Sequence, residues 1–200
     1  MNMEIKYPNQ KKEYIAPSSS NKTSKPNKGK LGFSFEEAIN ESNEFYLARG
    51  IAVIHKKPTP IQIVSVNYPK RSAAKITEAY FKVPSTTDYN GIYKGKYIDF
   101  EAKQTNSDLF PFAHIYEHQI NHLVQVAKHG GIAFLLIHFN KRDEVYLLDI
   151  QLLHKCYQDS KNEGRKSINY AYFKEYGTQI KKGYSPRVQY IDAVDQLYLK

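Results

Sequence analysis

The sequence predicts an α/β protein: a mixed β-sheet flanked by helices, with a basic excursion protruding from it and a disordered tail ahead of it. Three observations carry this expectation. Ile132-Ala-Phe-Leu-Leu-Ile-His-Phe139, bounded by Gly130-Gly131 and Asn140, is an almost unbroken apolar run, as in a central strand buried on both faces. Apolar residues recur near helical spacing after Ser34 and again over 116–128, with strand-like segments between and beyond them. Residues 56–82 interrupt that order with a basic stretch opened by Lys56-Lys-Pro-Thr-Pro60, whose two prolines exclude a regular central strand.

Taken in order, residues 1–30 are rich in Lys, Asn, Ser and Pro and carry seven lysines against two glutamates. They hold too few large apolar side chains to fold alone, so they read as a disordered basic tail to a domain spanning 31–200. Ser34 with Glu37 makes a capping box, Phe35, Ile39, Ser42, Phe45 and Tyr46 follow near helical spacing, and Arg49-Gly50 supplies a stop. Ile51 to His55 reads as a strand. Within the excursion, Ile61 to Val66 alternates as a strand, Tyr68-Pro-Lys-Arg71 is a turn, and Ala73 to Phe81 is either strand or short helix. Residues 85–103 form a hairpin, for which Gly91 and Gly95 provide the tight turn. Tyr116 to Lys128 is a helix, Val145 to Ile150 a strand and 151–159 a helix. Residues 161–187 read as a loop-rich basic block, and Tyr190 to Leu199 as a closing amphipathic segment.

Composition narrows the function classes. No apolar run reaches the roughly 18–20 residues of a membrane helix, so no membrane partner is expected and the chain reads as soluble. The polar, lysine-rich start lacks the apolar centre of a secretory signal. The single cysteine, Cys156, excludes an internal disulfide and a cysteine-cluster zinc site, which suits a cytoplasmic location; it reads as a small helix residue, and no catalytic Cys-His case can be built on it. The formal net charge is +9, concentrated in residues 1–30, 55–82 and 161–187 over an otherwise acidic body. Three focused basic blocks favour contact with a polyanion over merely solvated lysine.

Against that background, the acids of 85–103 need a reason. Along Lys96 to Lys103, Ile98, Phe100 and Ala102 form an apolar set, while Tyr97, Asp99, Glu101 and Lys103 fall on the opposite, polar face. Glu101 and Lys103 are then about 6–7 Å apart on one face. The hairpin brings Asp88 near them. Two carboxylates and an ammonium suit a Mg²⁺ site for phosphodiester hydrolysis, because Mg²⁺ keeps several waters and needs only one or two carboxylates beside a phosphate oxygen. A nearby lysine stabilises the charge that develops at phosphorus. The alternative is that these charges pair with one another on a solvated sheet face. Asp99 is assigned to structural pairing. Glu36, Glu37 and Glu41 on the first helix take helix-end and solvating roles by default, with a water-mediated metal contact as the alternative. His114, His118 and His122 recur every four residues but span about 12 Å of helix, too far for one ion.

The residues also carry a resemblance. The blocks Ile51-Ala-Val-Ile-His-Lys-Lys-Pro-Thr-Pro60, Tyr68-Pro-Lys-Arg-Ser-Ala-Ala74, Glu78-Ala-Tyr-Phe81, Ser85 to Gly95, Tyr97-Ile-Asp-Phe-Glu-Ala-Lys103, His118-Gln119, Gly164-Arg-Lys-Ser-Ile168 and Gln196-Leu-Tyr198 resemble the RecU family of Holliday junction resolvases, with a weaker match at Tyr7-Pro-Asn9. That resemblance implies a restriction-endonuclease-like mixed β-sheet flanked by helices, with 56–82 as a protruding basic stalk. It implies a magnesium-dependent, structure-selective endonuclease acting as a homodimer, which resolves four-way DNA junctions by paired nicks during homologous recombination, DNA repair and chromosome segregation. Thr86, Asp88, Glu101 and Gln119 would be the metal shell, with Mg²⁺ as the ion and Mn²⁺ as a substitute, and Lys103 the transition-state stabiliser. Lys56, Lys57, Lys70, Arg71, Lys75, Tyr80, Phe81, Arg165 and Lys166 would meet DNA, with core packing as the competing reading for the two aromatics. Thr87, where the wider superfamily pattern has proline, is the one departure. The resemblance further implies a nucleoid-associated protein linked to the strand-exchange recombinase and a branch-migration motor. A nuclease of ordinary duplex and a catalytically silent nucleic-acid-binding module remain the rival readings.

Overall fold

The structure is a computed structural model that describes residues 34–82 and 87–199, with only the backbone described at Arg71. The expected tail at 1–30, including Tyr7-Pro-Asn9, lies outside the described residues. Helix α1 (Phe35–Ala48) starts on the expected capping box: the Glu37 N–H donates to Ser34 Oγ and the Ser34 N–H to the Glu37 carboxylate. It ends where Gly50 takes a φ of +63°. Strand β1 (Val53–Lys56) follows, then β2 (Ile61–Asn67), a 3₁₀ turn at Arg71–Ala73, and β3 (Lys75–Phe81). Thus the segment ending at Phe81 is strand, not helix. Strands β4 (Tyr89–Tyr93) and β5 (Lys96–Thr105) form the hairpin that carries the acids.

After the short β6 (Leu109–Pro111), helix α2 (Glu117–Lys128) leads to β7 (Ile132–Phe139), β8 (Glu144–Asp149) and α3 (Ile150–Lys161). Strand β9 (Ser167–Asn169), helix α4 (Tyr170–Tyr176) and β10 (Thr178–Ile180) then occupy the stretch expected to be loop-rich. These pieces of three to seven residues are too short to display a period in sequence. Helix α5 (Tyr190–Tyr198) closes the chain as expected.

Six strands build the main sheet in the order β1-β4-β5-β7-β8-β10. All neighbours are antiparallel except β5 and β7, which are parallel and joined through α2. The sheet is therefore mixed and helix-flanked, as predicted. One face packs on α1 and α5 through Ile39, Phe100, Phe134 and Tyr190; the other packs on α2, α3 and α4 through Leu123, Leu135, Leu153 and Phe173. Burial on both faces explains the unbroken apolar run of β7. It also removes the alternative of a solvated sheet face at Glu101 and Asp99 on β5. The parallel connection lays α2 over that face, and Asp99 and Glu101 are fully buried.

The two glycines of the hairpin do different work. Gly95 and Lys94 form the turn with φ of +75° and +45°, the left-handed pair that a two-residue hairpin favours. Gly91 lies inside β4 opposite Ile54, where an added Cβ would stand 2.0 Å from the Val53 carbonyl oxygen, so it serves close strand approach and not the turn. Gly91→Ala is accordingly expected to lose about 2–3 kcal/mol of stability in urea denaturation, because backbone must move to admit the methyl group.

The excursion at 56–82 is a two-stranded antiparallel arm. Ile61 pairs with Phe81 and Asn67 with Lys75, with irregularities around Ser65. Every described side chain on both strands is exposed. Tyr80 and Phe81 therefore do not pack into the core as the competing reading had it; Phe81 is 83% exposed. At the arm's base the Lys57 N–H donates to the Asp88 carbonyl at 2.7 Å and the Lys82 N–H to that of Pro60 at 3.0 Å, tying outgoing and returning limbs together.

Candidate active site

Strand β5 runs through the middle of the sheet and carries both Glu101 and Lys103 toward α2. Lys103 Nζ donates to Glu101 Oε1, so the expected same-face placement becomes a direct ion pair. Gln119, in the first turn of α2, donates its Nε2–H to the same oxygen at 2.8 Å, while its Oε1 accepts the Tyr116 N–H at 3.0 Å. Asp88 sits just before β4 and its Oδ2 accepts the Ala102 N–H at 3.1 Å, which sets it beside the strand that bears Glu101. Asp88, Glu101, Lys103 and Gln119 are thus brought together. Asp88 and Lys103 also line a cavity of about 270 Å³, which Glu36 and Ser34 at the start of α1 help to enclose.

The electrostatics of the group fit a cation. Burial first, and then the charge of Asp88, push the Glu101 carboxyl up to about 7, against the opposing pull of Lys103. Glu101 Oε2 is buried and has no hydrogen-bond partner. An ionised carboxylate with a bare, buried oxygen beside a second carboxylate is a donor set in want of positive charge. Among the described residues no cluster of three or more His, Cys, Asp or Glu side chains could hold a metal. That excludes a dense protein cage but not a two-carboxylate Mg²⁺ site, which fills its remaining positions with water and phosphate oxygen. Thr86 lies outside the described residues. Gln119 meets Glu101 through its nitrogen, with its oxygen turned to Tyr116 rather than offered to the ion.

The structure disperses several other candidates. Lys56 pairs with Glu36 on α1. Lys57, expected on DNA, turns inward: its ammonium donates to Asp99 Oδ2 at 2.9 Å and Thr87 Oγ1 at 2.8 Å. Lys70, Lys75, Tyr80 and Phe81 project from the arm, where Tyr80 donates its hydroxyl to Glu78. Arg71 begins the 3₁₀ turn at the arm's far end. Arg165 and Lys166 precede β9, and the Lys166 ammonium donates to the Ser160 carbonyl. The three histidines share no site. His122 Nε2 is 2.9 Å from Asp99, His118 stacks on Tyr116, and His114 lies in the 3₁₀ turn before α2. Asp99 is structural, as expected, with Lys57, Thr87, Tyr97 and His122 around it. Sequence reasoning missed the Ala102 N–H, since backbone donors leave no trace in residue identity. It also missed Thr87, whose only signal was its place beside Asp88.

Comparison with known proteins places the chain in a family. The model of the family described as "RecU: Recombination protein U" matches residues 30–196. A Holliday junction resolvase RecU from Geobacillus sp. (strain WCH70) is 55% identical over 174 residues, covering 86% of this chain and 87% of the relative. Proteins of the same name from Pediococcus pentosaceus and Bacillus cytotoxicus are 51% and 49% identical, each over 98% of this chain and 98% and 99% of theirs. The solved structure of Archaeoglobus fulgidus Hjc, a Holliday junction resolvase, matches with a TM-score of 0.42 at 11% identity, covering 70% of this chain and 94% of that one. The assignment rests on the sequence matches, which extend through β4, β5 and α2, where Asp88, Glu101, Lys103 and Gln119 converge: the chain belongs to the RecU family.

Proposed function

We propose that this protein is an endonuclease that resolves four-way DNA junctions, using a divalent cation, Mg²⁺ or Mn²⁺, held by Asp88 and Glu101. The observation that carries the reading is the buried Glu101 carboxylate beside Asp88, whose Oε1 pairs with Lys103 while its Oε2 has no hydrogen-bond partner. The names of the relatives supply the substrate class. When bound, such an ion neutralises a phosphate oxygen and lowers the pKa of a coordinated water. The chain's own residues do the rest. Asp88 is fixed by the Ala102 N–H and Glu101 by Gln119, so both carboxylates are oriented before DNA arrives. Lys103, a quarter exposed, keeps its ammonium at the mouth of the site, where it meets the extra negative charge of a phosphate under attack. Because the ion and a proton compete for the Glu101 carboxylate, affinity for the ion should weaken as pH falls below about 7.

The arm supports action as a homodimer at a junction. A lone two-stranded ribbon is marginal in water. This one exposes Ile61, Ile63, Val64, Ile76 and Phe81, apolar surface suited to a second copy, while Lys70 and Lys75 near its turn suit phosphates. A two-fold pair places two sites on strands related by the junction's own symmetry. Selectivity then comes from shape and backbone charge more than from base reading, and affinity falls steeply with salt.

The test is incubation with Mg²⁺ and labelled four-way junction, duplex and single-stranded DNA. Paired incisions confined to the junction, made within the lifetime of one complex, are expected. Equal cutting of plain duplex would indicate a duplex nuclease instead. Binding without cleavage in any divalent metal would leave a silent binding module.

A further inference from the structure

Lys57 stands where β1 gives way to the arm; two of its contacts reach the segment that carries Asp88, and the others reach Asp99 on β5. Its N–H donates to the Asp88 carbonyl at 2.7 Å. Its ammonium donates to Thr87 Oγ1 at 2.8 Å and to Asp99 at 2.9 and 3.2 Å. The Thr87 hydroxyl in turn donates to Asp99 Oδ1. Asp99 is fully buried on β5, two positions before Glu101, and is further held by the Tyr97 hydroxyl at 2.8 Å and by His122 of α2 at 2.9 Å. Tyr97 itself accepts from Asn90 of β4 at 3.0 Å. The Lys57 side chain is 17% exposed against 39% for Lys56 beside it, so only Lys56 is presented to solvent.

This arrangement locks Asp88 from both sides. The residue before it is latched to β5 through Thr87 and Asp99, its own carbonyl is held by Lys57, and its carboxylate is held by Ala102. Without the Lys57 ammonium, Asp99 would keep a buried charge with one cation fewer, and Thr87 would lose one of its two anchors. From these contacts we infer that Lys57 is a positioning residue that fixes Asp88 opposite Glu101, and is not a DNA contact. The inference rests on the proposed metal site.

The test uses the full-length protein and follows Mn²⁺ binding by loss of the free-ion electron paramagnetic resonance signal, alongside junction affinity at several salt concentrations. Lys57→Met is expected to weaken Mn²⁺ binding about tenfold or more, the usual effect of removing a partner that orients a ligand. Junction affinity should stay within about twofold with an unchanged salt slope. Lys57→Gln, which keeps an amide donor near Thr87 and Asp99, should recover most of the Mn²⁺ affinity. If Lys57→Met does not fold, Lys57→Met combined with Asp99→Asn removes the buried charge with its partner, and the same loss of Mn²⁺ affinity is expected. A fall in junction affinity with a salt slope lowered by about one, at unchanged Mn²⁺ affinity, would overturn the inference in favour of a phosphate contact. Unchanged values in both measurements would overturn it too. Failure of the unaltered protein to bind Mn²⁺ would remove the metal site, and this inference with it.

Discussion

Glu101→Gln is expected to lower junction cleavage by at least about 10³-fold, since the proposed ion loses a charged ligand and several kcal/mol of barrier lowering with it. Junction affinity should remain within a few-fold, because Glu101 is fully buried and touches Gln119 and Lys103 rather than DNA. The same substitution should move stability in the opposite direction. In chelator, the folded-state carboxyl titrates at about 7 against an ordinary value of 4.5, so the folded form binds more protons than the unfolded form between those limits. The contribution of this group is then complete below about pH 4.5 and is lost as pH rises through about 7. At pH 8 the ionised Glu101 therefore costs up to about 3 kcal/mol, a net figure that already includes the pull of Lys103. Glu101→Gln should be the more stable protein in chelator at pH 8, with the gap closing toward pH 4.5. Urea titrations at the two pH values read this directly. A variant less stable than the unaltered protein at pH 8 would mean that Glu101 is a structural acid.

Lys103→Met is expected to reduce cleavage about 10²–10³-fold, the usual loss when one donor to a developing negative charge is removed. It carries a second signature. Lys103 pulls the Glu101 carboxyl downward, so its removal lets burial and Asp88 push that carboxyl further up. At subsaturating Mg²⁺, the residual activity should therefore require higher pH than that of the unaltered protein. A pH-rate profile from 6 to 9 separates the two proteins. A parallel drop at every pH would indicate that Lys103 acts on DNA alone, without setting the state of Glu101.

Much of this molecule is legible in its residues. The capping box at Ser34 and Glu37, the apolar run of β7 and the alternation along β5 each follow from local rules. So does the gathering of Asp88, Glu101 and Lys103. What escaped was mostly non-local. Alternation gives the sidedness of a strand but not which layer will cover it, so the burial of Asp99 and Glu101 beneath α2 could not be read from 96–103. A run such as Lys56-Lys57 shows charge but not direction, and one ammonium goes outward to Glu36 while the other goes inward to Asp99. The elements β9, α4 and β10 were hidden by their brevity. Tyr80 and Phe81 mislead for another reason: aromatic residues usually signal a core, and here they lie on an arm with no core of its own.

The way the two limbs of the arm leave the sheet has a last consequence. Strands β1 and β4 are antiparallel neighbours, with Lys56 opposite Tyr89, and the pairing of Ile61 with Phe81 resumes just beyond. Sheet edge and arm are thus one interrupted hairpin. Residues inserted or deleted in matched pairs beyond Ile61 and Phe81 alter its reach by about 3.4 Å per pair while the strands below keep their register. The reach of the arm is thereby separable from the geometry of the proposed site at its base, so the one can change while the other stands still.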